Sequence, residues 1–90
     1  MIETETHAPR ILIVEDSRYD QLIYRHTLRD FDLVFADSGE TGLERLAKES
    51  FDLVVLDFQL PRMNGDQVLS RIRDELGLDL PVVIVTGGGE

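Results

Sequence analysis

Apolar residues along the chain fall into short runs that alternate with longer amphipathic segments. The apolar runs cover residues Arg10–Val14, Leu33–Ala36, Phe51–Leu56 and Val82–Val85. Runs of this length, apolar on successive positions, are typical of strands that are buried on both faces of a parallel sheet. The pattern therefore predicts four strands, and the segments between them are long enough to be helices.

The three intervening segments have apolar residues at helical spacing and begin with residues that cap helices. Asp16 and Ser17 precede the first helix, Ser38 precedes the second, and Asp66 begins the third. Short polar side chains at these positions accept hydrogen bonds from free backbone amides. The side chains predicted to face the core are Tyr19, Leu22, Ile23 and Thr27 in the first helix, Leu43, Leu46 and Ala47 in the second, and Leu69, Ile72 and Leu76 in the third.

The strict βαβαβαβ alternation predicts an α/β protein with a doubly wound, flavodoxin-like parallel sheet and right-handed crossovers. Residues 1–9 are polar and aperiodic, which predicts a flexible N-terminal tail before a domain over residues 10–90. Ligands of such sheets bind beyond the carboxyl ends of the strands, where the strand order reverses. With the order 2-1-3-4, this point lies between the first and third strands.

Acidic residues end both strands that flank this point. Glu15 and Asp16 follow the first strand, and Asp57 follows the third. Neighbouring carboxylates repel one another and cannot all stay ionised at close range without a counter-ion. Hard divalent cations prefer oxygen ligands of this kind, so the sequence predicts a metal site at this edge of the sheet. Taken singly, Glu15 and Asp16 could instead be acids favoured at a helix N-terminus.

Composition narrows the classes of partner and of chemistry. The chain has 18 acidic and 9 basic residues and a net charge of −9, which opposes binding to nucleic acid. It contains no cysteine, which excludes disulfides, zinc–thiolate sites and thiol catalysis. No apolar run approaches the ~20 residues needed to cross a bilayer, and the start lacks the features of a signal peptide. These observations predict a cytoplasmic protein without a membrane partner.

Three segments in this order resemble a known family. Ile-Leu-Ile-Val-Glu-Asp-Ser at 11–17, Asp-Leu-Val-Val-Leu-Asp-Phe-Gln-Leu-Pro-Arg-Met-Asn-Gly at 52–65 and Pro-Val-Val-Ile-Val-Thr-Gly at 81–87 look like the receiver domain of bacterial two-component response regulators. The resemblance covers residues 10–88. It implies a phosphoacceptor signalling module of a phosphorelay, whose partner is a sensor histidine kinase or a phosphotransfer protein.

The resemblance also implies roles for single residues. Asp57 matches the phosphoacceptor, and Asp16 and Glu15 match the acid pair that holds Mg²⁺, Asp16 directly and Glu15 often through water. Gln59 matches the position whose backbone carbonyl completes the metal shell. A module of this kind is not an enzyme beyond Mg²⁺-dependent self-phosphorylation and slow self-dephosphorylation.

Two further positions match residues around the phosphoryl group. Thr86 matches the residue whose hydroxyl bonds the phosphoryl oxygens, and Gly87 matches the small residue that leaves room for them. Gly87, Gly88 and Gly89 could also suggest a phosphate-binding loop, but the Lys-Ser/Thr ending of such loops is absent, so a linker is favoured.

The family also has a lysine at the end of a fifth strand, and here no lysine follows Lys48. We therefore expect a truncated receiver domain that lacks the last βα units. Its fourth strand would be an exposed apolar edge, which predicts a homodimer through that strand. The alternative function is then an assembly piece that cannot act as a switch.

Two other functions remain as alternatives. An aspartyl-phosphate phosphatase of the haloacid dehalogenase type would need Asp-x-Asp after the first strand, whereas here Asp57-Phe58-Gln59 follows the third. His26 could carry a phosphoryl group itself, but it lies on the first helix without an acidic neighbour. A surface or packing role is favoured for it.

Overall fold

The computed structural model describes residues 8–86 and contains the predicted elements in the predicted order. β3 begins two residues later than the sequence suggested, because Phe51 and Asp52 precede the paired segment. The strands are β1 Arg10–Val14, β2 Asp32–Ala36, β3 Leu53–Asp57 and β4 Val82–Val85, and the helices are α1 Arg18–Thr27, α2 Gly39–Lys48 and α3 Gly65–Asp74.

The sheet is parallel throughout and has the order β2-β1-β3-β4, which confirms the predicted topology. Val14 at the end of β1 lies opposite Ala36 on one side and Leu56 on the other. Asp57 at the end of β3 lies opposite Val85 of β4. The four strands therefore end at one edge, where the chain turns into the loops that carry the candidate site residues.

The predicted caps of the first two helices are confirmed. Ser17 accepts a hydrogen bond from the Asp20 backbone N–H at 3.2 Å, and Ser38 accepts one from the Thr41 N–H at 3.1 Å. Each serine has extended backbone angles, as an N-cap residue requires. The turns from β1 into α1 and from β2 into α2 are therefore fixed by local hydrogen bonds.

The third helix begins earlier than predicted. Its N-cap is Asn64, whose side chain accepts from the Gln67 N–H at 2.9 Å while the Gln67 side chain accepts from the Asn64 N–H at 2.9 Å. This reciprocal pair is a capping box, which an asparagine followed three residues later by glutamine can form. Asp66 instead lies inside the first turn.

The core is divided between the two faces of the sheet. α2 and α3 cover one face, and their buried residues Leu46, Val68 and Ile72 pack on β1 and β3 in the larger cluster. α1 lies on the other face, where Tyr24 and Leu28 pack against a smaller cluster. The first face supplies most of the buried apolar surface, and so most of the hydrophobic stabilisation.

The prediction of the buried face of α1 was wrong. Tyr19 and Leu22 are 72% and 61% exposed, Ile23 is 47% exposed, and Thr27 is exposed as well. The helix packs through Tyr24 instead. Because successive residues are about 100° apart on a helix, a shift of one residue turns the predicted stripe away from the sheet.

The prediction for α2 was wrong at one position. Leu46 is buried and Leu43 packs against the core, but Ala47 is exposed. The buried side of this helix passes through Gly39 and Gly42 to Leu46, and Ala47 lies one residue further around the helix. In α3, Ile72 is buried and Leu69 is partly buried against the core as predicted, and Val68 joins them. Leu76, which was predicted to be in the same helix, lies two residues beyond its end and is also partly buried against the core.

At the amino edge of the sheet, Arg10 connects several elements. Its guanidinium contacts Glu49 at 2.9 Å and Asp32 at 3.3 Å, and it lies 4.7 Å from the centre of the Phe51 ring. The Arg10 backbone N–H also donates to the Asp52 carboxylate at 2.7 Å. The starts of β1, β2 and β3 and the end of α2 are thereby held together.

No helix within residues 8–86 has the length and apolar character needed to cross a membrane. β4 forms one edge of the sheet, and Val83 on it is 49% exposed. The homodimer through this strand stays a prediction.

The unequal faces of the sheet generate a stability prediction. Ile72→Val removes a methylene group from a fully buried site and should lower the free energy of unfolding by about 1 kcal/mol. Ile23→Val makes the same change on the exposed side of α1 and is the matched control, expected to change it by less than about 0.5 kcal/mol. Urea unfolding measures both, and equal losses in the two variants would contradict the assignment of the core.

Candidate functional site

Three carboxylates meet at the carboxyl edge of the sheet, as the sequence predicted. Glu15 and Asp16 directly follow β1, and Asp57 is the last residue of β3. One oxygen from each lies within 4.8 Å of the others. The parallel pairing of β1 with β3 causes this convergence, because it brings the ends of the two strands side by side.

Glu15 is the most buried of the three. Only 5% of the residue is exposed, and burial raises the pKa of its carboxyl group. The Ser17 N–H donates to the Glu15 carboxylate at 3.1 Å and opposes this rise, while the charges of Asp57, Asp20 and Asp16 add to it. Ionised Glu15 is therefore held in an unfavourable environment that a cation would relieve.

Asp57 is half-buried and faces the same conflict. Burial raises the pKa of its carboxyl group, and the charges of Asp16 and Asp20 raise it further. The Gln59 backbone N–H donates to Asp57 Oδ1 at 3.3 Å and acts in the opposite direction. Asp57 is therefore accessible from the cleft, and a bound cation would stabilise its ionised form.

The carboxylates open onto a cleft of about 530 Å³. One wall is formed by the first two turns of α1, and the other by the end of β4 and the residues after β3. Among the described residues that line it, no side chain is cationic. They are Glu15, Asp16, Ser17, Asp20, Ile23, Tyr24, Asp57, Gln59 and Val85.

Of the other predicted site residues, Gln59 and Thr86 lie at the same edge of the sheet. Gln59 is exposed and lines the cleft, and its backbone N–H contacts Asp57. Thr86 is exposed and directly follows β4, but it is not among the residues that line the cleft. Gly87 lies outside the described residues. His26 is exposed on the last turn of α1.

A glycine supports the site from behind. The Gly65 N–H donates to the Phe58 carbonyl at 2.9 Å. A Cβ at this position would lie 3.0 Å from Phe58 Cα and 3.2 Å from the Asp57 carbonyl oxygen. These contacts are backbone contacts that cannot move aside cheaply, so the glycine lets α3 begin directly beside the end of β3.

The loop between β3 and α3 also contacts α2. Arg62 has a positive φ of 67° and contacts the Glu40 carboxylate through two nitrogens at 3.3 Å each. This pair lowers the pKa of Glu40. The pair is exposed, so its main effect is to orient the loop rather than to stabilise the fold.

Sequence reasoning missed the contribution of α1 to the site. Asp20 and Tyr24 line the cleft, and the Gln21 side chain donates to the Glu15 carbonyl at 2.7 Å. Burial raises the pKa of the Tyr24 phenol, and the charges of Glu15, Asp57 and Asp20 raise it further. The spacing of Ser17, Asp20, Gln21 and Tyr24 marks one helix face and was the available signal.

The donor set fits a hard divalent cation. Three carboxylates converge, and no histidine or cysteine is among the residues that line the cleft. Mg²⁺ and Ca²⁺ take oxygen ligands, whereas softer metals prefer nitrogen or sulfur. The site is therefore suited to a hard divalent cation held by carboxylate oxygens and water.

A doubly wound parallel sheet with converging acids at its switch point defines a class of α/β proteins that act at the carboxyl edge of the sheet. The family model of the response regulator receiver domain matches residues 11–90. The chain belongs to this family of two-component signalling domains.

Curated relatives are both response regulators and sensor kinases. The chain is 37% identical over 79 residues to the transcriptional regulatory protein DltR of Streptococcus agalactiae, covering 86% of this chain and 35% of the relative. It is 38% identical over 84 residues to the response regulator FleR of Pseudomonas aeruginosa, with coverage of 91% and 18%. It is 34% identical over 87 residues to the sensor histidine kinase GacS of Pseudomonas protegens, with coverage of 90% and 10%. The chain thus spans about a third or less of the length of these relatives.

Solved structures confirm the fold. The N-terminal domain of a response regulator receiver protein from Methanoculleus marisnigri aligns with this chain with a TM-score of 0.82 and 33% sequence identity, covering 91% of this chain and 69% of that one. The MaeR response regulator bound to beryllium trifluoride aligns with a TM-score of 0.80 and 31% sequence identity, covering 91% of this chain and 70% of that one. The chemotaxis protein CheY4 of Vibrio cholerae, at 24% identity, has the same fold with a TM-score of 0.82 and coverage of 92% and 72%.

The raised pKa of Asp57 predicts a stability gain when its charge is removed. A carboxyl group whose folded pKa is raised keeps its proton to higher pH in the folded state than in the unfolded chain. Its ionisation therefore lowers stability as pH rises above about 3.9, the ordinary aspartate value. In buffer without divalent cations, we expect Asp57→Asn to raise the urea midpoint at pH 7, and the gain should disappear below about pH 3.9.

The matched control is Asp30→Asn, which makes the same change at an exposed position between α1 and β2. Its urea midpoint should stay close to that of the unsubstituted protein at both pH values. Equal midpoints for Asp57→Asn and the unsubstituted protein at pH 7 would contradict the electrostatic description of the site.

Proposed function

We propose that this domain accepts a phosphoryl group on Asp57 from a phosphohistidine of a sensor kinase or a phosphotransfer protein, with Mg²⁺ bound at the acidic edge. Membership of the receiver family supports this function. The observation that carries it is the convergence of Glu15, Asp16 and Asp57 within 4.8 Å at the carboxyl edge of the sheet.

The transfer step balances without a further reactant. An Asp57 carboxylate oxygen attacks phosphorus, the new O–P bond forms, and the P–N bond of the donor breaks. The electron pair of that bond passes to the imidazole nitrogen of the donor, which leaves as neutral imidazole when its second ring nitrogen carries a proton. Asp57 is suited to the attack because it ends its strand, half-buried, with an accessible oxygen on the open cleft.

The residues around Asp57 divide the remaining work. Asp16 and Asp57 would bind Mg²⁺ directly, Glu15 through water, and Gln59 through its backbone carbonyl. Bound Mg²⁺ would neutralise the negative charge on the transferring oxygens. The Gln59 N–H donates to Asp57 Oδ1 at 3.3 Å and so restricts rotation of the carboxylate.

Relatives support the phosphoryl ligand and the kinase partner. MaeR, 31% identical, is bound to beryllium trifluoride in its solved structure, and this anion has the shape of a phosphoryl group. The matched region of GacS belongs to a sensor histidine kinase. On this proposal the domain is a stoichiometric acceptor rather than an enzyme with turnover, and its phosphoryl group leaves by slow hydrolysis.

Intact-mass measurement after incubation with Mg²⁺ and acetyl phosphate tests this function directly. We expect one phosphoryl adduct in the unsubstituted protein and none in Asp57→Asn, because the amide is not a nucleophile for phosphorus. Asp30→Asn, the same change at the opposite edge of the sheet, should retain the adduct. An adduct that persists in Asp57→Asn would exclude Asp57 as the acceptor.

Two parallel measurements, of phosphate-ester hydrolysis and of elution volume, separate the other functions. Continuous release of phosphate from a phosphate ester would favour a phosphatase. A protein that takes up no phosphoryl group and elutes as a dimer would favour the assembly role.

Thr86 gives a second test of the site. It follows Val85, which lies opposite Asp57, so we expect its hydroxyl to reach the edge where the phosphoryl group would form. A hydrogen bond to a charged phosphoryl oxygen contributes roughly 2 kcal/mol. At a sub-saturating concentration of acetyl phosphate, Thr86→Ala should therefore reduce the ratio of phosphorylated to unphosphorylated protein by about 10-fold or more. Thr86→Ser retains the hydroxyl and should keep most of the adduct. Equal losses of adduct in both variants would contradict the hydrogen bond.

A further inference from the structure

One face of α1 is fixed against the acidic edge by hydrogen bonds. The Gln21 side chain donates to the Glu15 carbonyl at 2.7 Å, and Ser17 caps the helix by accepting from the Asp20 N–H. Because residues three and four apart share a helix face, Asp20 and Tyr24 lie on this same side. Both line the cleft that contains Asp57.

Asp20 is part of the cleft but not of the converging carboxylates. It is half-buried and lines the same cleft as Glu15, Asp16 and Asp57. The close cluster, defined by oxygens within 4.8 Å of one another, contains the other three acids and not Asp20. Because Asp20 lines the same cleft, its charge nevertheless acts on a cation bound to the cluster.

We propose that Asp20 is a fourth acidic group of this site, which raises its affinity for cations through space without binding the metal directly. This inference rests on the proposed function, because it concerns the same metal site. Asp20 thereby makes the cleft more selective for ions of higher charge. Its ordinary role as an acid in the first turn of a helix would leave cation affinity unchanged.

The size of the effect follows from Coulomb attraction in a solvent-exposed cleft. A single charge several ångströms from a divalent ion, at an effective dielectric constant between that of water and that of a protein surface, changes affinity by roughly 3- to 10-fold. The logarithm of the change scales with ion charge, so it should be about 1.5 times larger for a trivalent ion than for Mg²⁺. Salt should reduce it, because the Debye length falls from about 10 Å at 0.1 M to about 3 Å at 1 M.

The chain offers its own optical probe. It contains no tryptophan and two tyrosines, of which Tyr24 lines the cleft and Tyr19 is 72% exposed. In a Tyr19→Phe background, Tyr24 is the sole tyrosine and can sensitise the luminescence of Tb³⁺ bound in the cleft. Calorimetric titration measures Mg²⁺ affinity in the same background.

Four variants in this background test the proposal. Asp20→Asn and Asp20→Ser remove the charge in two ways, and Asp20→Glu restores it. Asp66→Asn is the matched control, since it removes an acid from the first turn of α3 that is not among the residues that line the cleft. Urea midpoints verify that each variant is folded before binding is compared.

We expect Asp20→Asn and Asp20→Ser to weaken Mg²⁺ binding by roughly 3- to 10-fold and Tb³⁺ binding by a larger factor, with both losses shrinking in 1 M KCl. Asp20→Glu and Asp66→Asn should bind like the background protein. The proposal would be overturned if Asp20→Asn and Asp20→Ser bound cations with the same affinity as the background protein. It would also be overturned by a loss of affinity that does not depend on ion charge or on salt. Neither result would contradict the metal site itself. Failure of the background protein itself to bind Mg²⁺ would instead overturn the proposed function, and the inference with it.

Discussion

The parallel pairing of β1 with β3 places Val14 opposite Leu56, both of them buried, and one residue later it brings carboxylates together. Burial of the two strands stabilises this pairing from both faces of the sheet. The repulsion among the acids opposes it, and raises the pKa values of Glu15 and Asp57. The carboxylates therefore stay close together because burial of the two strands outweighs the repulsion between their charges.

The loop after β3 transmits this constraint to the rest of the fold. Gly65 lets α3 begin against the backbone of Asp57 and Phe58, and Asn64 caps that helix. On the far side of the loop, Arg62 contacts α2 through Glu40. Both α2 and α3 thus contact the loop that follows Asp57. A movement of this loop would therefore displace residues that contact both helices.

The sequence predicted the strands and the convergence of the acids for physical reasons that are local. Runs such as Ile11–Val14 are apolar on every position, and an acid at the end of a buried strand is conspicuous. The face of α1 was not predictable in the same way, because Tyr19, Leu22 and Ile23 have helical spacing but point to solvent. The packing of Tyr24 and Leu28 on the sheet distinguishes the two faces. Because this packing was not predicted, the part of α1 that lines the cleft was not predicted either.

Arg10 at the amino edge has a consequence for how the molecule meets other proteins. It contacts the acids Asp32 and Glu49 at one end of the sheet, whereas the acids at the other end line a cleft without a cationic side chain. The charges of Asp32 and Glu49 are therefore offset by Arg10, whereas those of the cleft acids are not offset by any residue that lines the cleft. Charges of opposite sign attract before contact, so a partner with a basic surface would be drawn toward the cleft. The fold thus orients an encounter by the same unbalanced charge that gives the cleft its need for a cation.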